Sequence, residues 1–96
     1  MKNEIEINES LFENIKHYDE NGNEFWSARE LYKVLGYTEY GKFTSTINKA
    51  IVACVNSNNS VADHFAQVSD MIKTGKTAHR KVNNYKLSRY ACYLIA

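Results

Sequence analysis

The chain has 96 residues, of which 44% are hydrophobic and 24% charged, with two cysteines, no proline and a net charge of +1. That is one small domain, long enough to close a single core without obligatory staples. Its apolar runs, at 50–55 and 90–96, fall far short of the ~20 residues of a spanning helix, and its acidic start, MKNEIEINES, is neither a secretory signal nor a transit peptide, which predicts a cytoplasmic protein without a membrane partner.

In chain order, residues 1–10 lack periodicity and read as a frayed tail. Leu11 to Tyr18 reads toward strand, with Phe12, Ile15 and Tyr18 inward. Asp19 to Asn23 is a turn in which Asn21-Gly22 supplies positive φ, and Glu24-Phe25-Trp26 is the return strand. Ser27 and Glu30 have capping-box spacing ahead of a short helix in which Ala28, Leu31 and Leu35 share one side, and Gly36 can end that helix in the left-handed conformation. Thr38 is placed to cap a second helix over about 39–56, with Tyr40, Phe43, Ile47, Ile51 and Cys54 as its apolar stripe. Ser60 and Asp63 repeat the capping-box spacing, and Val61, Phe65, Val68 and Ile72 predict a third amphipathic helix ending near Lys73. Thr74 to Ser88 reads as a mobile loop followed by a short strand over 84–87. Ser88 then caps a last helix, RYACYLIA, which is apolar to its final residue and points to a fragment of a longer protein. Cys54 and Cys92 lie inside apolar helical patterns with no partner at metal-ligand spacing. They read as reduced core thiols, with a bridge between them left open.

The charge is split along the chain. Residues 1–39 hold nine acids against four bases, a net −5, whereas residues 40–96 hold eight bases against Asp63 and Asp70, a net +6. A polyanion meeting the basic half is one reading, and an acidic tail folding over a basic surface is the other. Six cations fall between Lys73 and Arg89 with no acid among them. They are Lys73, Lys76, Arg80, Lys81, Lys86 and Arg89. Such side chains neutralise phosphates and release counterions; the alternative is a solvated loop. The helix ending at Gly36 and the next one have the order of a helix–turn–helix, in which Lys42, Ser45, Thr46 and Lys49 would face a groove. Plain packing of two amphipathic helices explains the same pattern. Tyr85, Tyr90 and Tyr93 flank the basic stretch and could stack on unpaired bases, or simply pack. His17, His64 and His79 have no ligand spacing, and no nucleophile motif or phosphate-cradling glycine loop is present, so no catalytic residue, metal or cofactor is assigned.

The blocks WSARELYKVLGY at 26–37 and LSRYACYLIA at 87–96 resemble the N-terminal part of the DNA damage-inducible protein D family. The wider domain resembles the BRO-N module of viral BRO proteins and phage antirepressors. Ser60, Asp63, His64 and Phe65, with MIKTG at 71–75, extend the likeness over roughly residues 11–96. The resemblance implies an α+β fold, a small β-hairpin or sheet packed against about four short helices, in a bacterial or prophage protein of the DNA-damage (SOS) response. It implies a DNA-binding or antirepressor module and names no catalytic or DNA-contacting residue. The expected contact set therefore rests on charge and spacing: Lys42, Lys49, Lys73, Lys76, Arg80, Lys81, Lys86 and Arg89. The expected function is a non-enzymatic regulatory module that binds duplex or single-stranded DNA; the alternative is a module that contacts a DNA-repair or repressor protein without touching DNA.

Overall fold

The computed structural model describes residues 9–96. Five helices and four strands follow one another as α1 (Glu9–Asn14), β1 (His17–Tyr18), β2 (Glu24–Ser27), α2 (Ala28–Val34), α3 (Tyr40–Asn56), α4 (Val61–His64), β3 (Phe65–Lys73), β4 (His79–Leu87) and α5 (Arg89–Ile95). The strands form one antiparallel sheet in the order β1-β2-β4-β3. The α+β class is as expected. Of the frayed tail, residues 1–8 lie outside the described residues, while Glu9 and Ser10 open α1.

Trp26 sits at the centre and is fully buried. Its ring stacks on Phe12 with centroids 4.4 Å apart, and its Nε1–H donates to the Phe12 carbonyl at 2.9 Å. This pair explains why the residues before His17 are helical and not the expected strand. One turn of helix brings Phe12 onto the indole, and a helix this short is held by tertiary contact rather than by its own propensity. Only His17 and Tyr18 pair with β2, and Tyr18, expected inward, is 64% exposed. The turn forms as predicted: Gly22 has φ +83°, and the Asp19 carboxylate accepts from the Asn21 and Asn23 amides, each at 2.9 Å.

α2 ends in a Schellman arrangement. Gly36 at φ +87° lets Tyr37 N–H reach the Tyr32 carbonyl at 2.9 Å and Gly36 N–H that of Lys33 at 3.1 Å. The predicted capping box does not form. Ser27 occupies the N-cap position by its backbone without a side-chain cap bond, because its hydroxyl accepts from Asn84 Nδ2 at 2.9 Å. Asn84 Oδ1 instead takes the Arg29 amide, so a residue of β4 caps α2 from outside. Glu30 is drawn away to His17, 2.6 Å from its Nε2.

α3 buries Phe43, Ile47, Ala50 and Cys54 as its period requires. Its N-cap is Glu39 and makes no side-chain cap bond, so the expected Thr38 cap is not used. These residues join Trp26, Ala28, Leu31, Phe65, Leu87, Ala91 and Cys92 in one core. Cys54 and Cys92 are buried free thiols. Burial pushes the Cys92 thiol up to about 12.

The largest correction lies between Val61 and Leu87. The predicted helix stops after one turn, α4, where Ser60 Oγ accepts the Asp63 amide at 3.3 Å. The chain then runs as β3 and returns as β4, nine residues each, paired from Phe65↔Leu87 to Lys73↔His79. The expected mobile loop shrinks to Thr74–Ala78, closed by Thr74 N–H to the Ala78 carbonyl at 3.0 Å. Val68 and Ile72 are only half-buried. Their helical spacing buries no stripe, and cross-strand pairing with β4 decides the conformation. In α5, Ser88 Oγ accepts the Ala91 amide at 3.0 Å, the predicted cap.

Candidate nucleic-acid interface

Two strands leave the core as an arm. At the base, Phe65 and Leu87 are buried and β2 pairs with β4 through Trp26↔Leu87 and Ser27↔Lys86. Beyond that, from Ser69 round to Lys81, every residue is exposed except the half-buried Ile72. The two strands pair with each other from Phe65↔Leu87 to Lys73↔His79, and beyond Lys86 no third strand among the described residues joins them, so their outer backbone groups face solvent.

Four of the expected contact residues gather at its distal end. Lys73 closes β3, Lys76 lies in the turn, and Arg80 and Lys81 open β4. His79 sits opposite Lys73. Among the described residues none of these side chains has an ion-pair or hydrogen-bond partner. Lys42 and Lys49 are elsewhere, exposed on the polar side of α3 with Ser45 and Asn48. Thr46, also expected to face a groove, is half-buried and 3.0 Å from the Tyr37 hydroxyl.

The other two expected residues are engaged within the fold. Lys86 holds its ammonium 4.7 Å from the Phe25 ring centroid. Arg89, at the first turn of α5, donates to both Glu24 oxygens at 2.8 and 3.0 Å and to Glu13 at 3.3 Å. Its guanidinium also lies 5.1 Å from the Trp26 ring. The bidentate bond holds the Glu24 carboxyl below the usual carboxylate range and raises the Arg89 pKa. Phosphate contact from Arg89 would have to break this clamp between α5, β2 and α1. Two acids of the acidic half, Glu13 and Glu24, are thus paired with one base of the basic half, while the acidic tail at residues 1–8 lies outside the described residues.

Asn84, which the sequence did not single out, fixes the arm to the body. It is 4% exposed, and its amide is fully used. Oδ1 accepts from Arg29 N–H at 3.2 Å and Tyr85 N–H at 2.8 Å. Nδ2 donates to Ser27 Oγ at 2.9 Å and Asp70 Oδ2 at 3.3 Å. Arg29 adds a second tie, donating from Nε to the Asn83 carbonyl at 2.8 Å while its guanidinium stacks 4.1 Å from the Tyr40 ring. The only advance signal was an Asn-Asn pair inside a run of otherwise strand-compatible residues.

An open groove of about 510 Å³ lies beside this junction, lined by His17, Phe25, Glu30, Asp70 and Lys86 among others. Of the tyrosines flanking the basic stretch, Tyr85 and Tyr90 are half-buried and Tyr93 is exposed. The Tyr90 hydroxyl accepts from Asn59 Nδ2 at 3.0 Å. Among the described residues no three His, Cys, Asp or Glu side chains come together as a metal site, and no helix is long and apolar enough to cross a membrane.

The sequence model for the BRO family, N-terminal domain, matches residues 14–96. DNA damage-inducible protein D of Escherichia coli (strain K12) is 49% identical over 84 residues, covering 88% of this chain and 31% of that protein. The chain therefore spans about a third of the length of the curated relative it matches. No solved structure matches it.

Proposed function

The chain belongs to the BRO family through its N-terminal domain, and on that premise we propose that it is a non-enzymatic, cytoplasmic regulatory module of a DNA-damage response that binds nucleic acid through the β3–β4 arm. One observation carries the reading: Lys73, Lys76, Arg80 and Lys81 stand exposed and unneutralised at the end of a projecting two-stranded hairpin. Cations so placed lose little on approaching a phosphate and gain the entropy of counterion release. Lys42 and Lys49 supply further cations from α3, whereas Lys86 and Arg89 serve the fold. The likeness to DNA damage-inducible protein D supports the physiological setting.

A salt titration of binding to duplex and single-stranded oligonucleotides tests this. With about four phosphates neutralised, log K against log[salt] should fall with a slope near −3 to −4. Arg80→Glu with Lys81→Glu should abolish binding at moderate salt. No binding at low salt, or full binding by the double variant, rejects the reading.

A second reading has its own observation. Val52 and Val55, three residues apart on α3 and so neighbours on its surface, are 58% and 54% exposed, and adjoining exposed apolar side chains mark protein interaction sites. In that case the module contacts a repair or repressor protein. Co-purification from damaged cells that survives nuclease treatment and is lost in Val52→Asp supports this reading; dependence on nucleic acid favours the first.

A further inference from the structure

Building on the nucleic-acid reading, we infer that the arm reads base edges in the major groove of B-form DNA with one of its two faces, the face that carries Ser69, Met71, Lys73, His79, Lys81 and Asn83. The register makes these six side chains three opposed pairs: Ser69↔Asn83, Met71↔Lys81 and Lys73↔His79. Partners directly opposite in an antiparallel pair project to the same side of the sheet. All six are exposed, and among the described residues none of their side chains has a hydrogen-bond or ion-pair partner.

The opposite face is built differently. It carries Ile72↔Arg80 and Asp70↔Val82, followed by Asn84 opposite Val68. Val82 and Asn84 are buried. The Asp70 carboxylate accepts from Asn84 Nδ2 and from the Met71 amide. A carboxylate fixed there would be repelled by flanking phosphates, whereas the first face holds no acid. Arg80 and the turn residue Lys76 remain for the phosphates on either side.

Dimensions select the ligand. The B-form major groove, about 12 Å wide and about 8.5 Å deep, admits a two-stranded ribbon as it stands, whereas the minor groove, about 6 Å wide, would have to be widened to take one. The A-form RNA major groove is too narrow and deep to be read this way. From Ser69 to Lys73 the strand advances about 14 Å at ~3.4 Å per residue, the rise of about four base pairs. The chemistry suits base edges. Asn83 can pair with adenine N6 and N7, Lys73 and Lys81 can donate to guanine O6 and N7, and Met71 offers an apolar contact to a thymine methyl.

The test is selection of preferred duplexes from a random library with the full chain. Competition against random-sequence duplex of equal length then follows by fluorescence anisotropy at fixed salt. The wild type should prefer a site of about four base pairs. Asn83→Ala and Met71→Ala should each lower the selected-to-random affinity ratio about tenfold while leaving affinity for random duplex unchanged. Arg80→Ala should weaken both affinities in parallel. Wild-type binding without any preference among duplexes overturns the reading face and leaves the phosphate-binding proposal standing; absence of binding to every duplex overturns both. The assignment also fails if an RNA duplex competes equally, or if selectivity is lost in Arg80→Ala but kept in Asn83→Ala.

Discussion

Replacing Asn84 with alanine should weaken the domain more than any other single polar substitution on β4. The side chain is 4% exposed and makes four hydrogen bonds. Ser27 is half-buried and Asp70 exposed, so their oxygens can turn to water once the amide is gone. The Arg29 and Tyr85 amides lose the one acceptor they share. Each unsatisfied buried group costs about 1–3 kcal/mol, and the Arg29 amide is also the capped donor of α2, for which a lost cap costs about 0.5–2 kcal/mol. Because the two figures overlap on one amide, the expected loss is about 2–4 kcal/mol, well short of the ~5–15 kcal/mol by which domains are stable. The variant should fold, with a lower urea midpoint followed through Trp26 fluorescence. Hydrogen exchange should speed up at the Arg29 and Tyr85 amides first. The exposed neighbour serves as reference, since Asn83→Ala should change stability by less than ~0.5 kcal/mol. Asn84→Asp adds a sharper test: it keeps the acceptor but sets a carboxylate against Asp70, so it should be unstable at neutral pH and recover as the pH falls. Equal midpoints for Asn84→Ala and Asn83→Ala, or unchanged exchange at both amides, would refute the assignment of Asn84 as the joint between arm and body.

Leu31, fully buried beneath α2, should cost about 2–5 kcal/mol on mutation to alanine, and any loss of DNA binding should disappear under conditions where the variant is folded; a stable, folded variant that fails to bind would place function in α2. Glu24 is depressed chiefly by its bond to Arg89. Its contribution to stability is therefore fully present above the unfolded carboxyl value and is lost as the pH falls through the lower folded value. Urea midpoints measured from neutral to acid pH should fall more steeply in the wild type than in Glu24→Gln, and parallel profiles would dismiss the clamp. Cys92, with its thiol pushed up to about 12 by burial, should resist disulfide reagents in the native state and react only at the rate of unfolding; rapid native labelling at this site would contradict its packing.

What the sequence disclosed followed the range of the interactions involved. The Gly36 stop, the α3 stripe and the Ser88 cap depend on residues within a turn or two of each other, and each forms where the pattern put it. β3 and β4 were misread for a physical reason. A half-buried strand betrays itself by alternation, one face apolar and one polar, but beyond Val68 the arm buries only Val82, and its one other deep residue is the polar Asn84, so the sequence has little apolar alternation to show. Its pairing energy comes from residues up to 22 positions away, Phe65 with Leu87. The accidental helical spacing of Val61, Phe65, Val68 and Ile72 then filled the gap. The site divided in the same way. An acid-free run of cations was visible as such, but which of them are free depended on Glu24 and Glu13, acids from the distant half of the chain that claim Arg89. Ser27 lost its expected role to Asn84, 57 residues away, a substitution of one cap for another that no local rule anticipates.

The way the arm is fastened has a consequence for how much change it tolerates. Beyond Val82 its side chains bury nothing in the core, and its backbone bonds run from one strand to the other. Its outer half is thus a cassette: substitutions, or a lengthened turn between Lys73 and His79, can accumulate there without taxing the core that Trp26 organises. Stability is written in the base of the hairpin and the proposed recognition in its outer half, with Asn84 at the border. A designer could graft a foreign ribbon between Asp70 and Val82 and expect the body to fold unchanged.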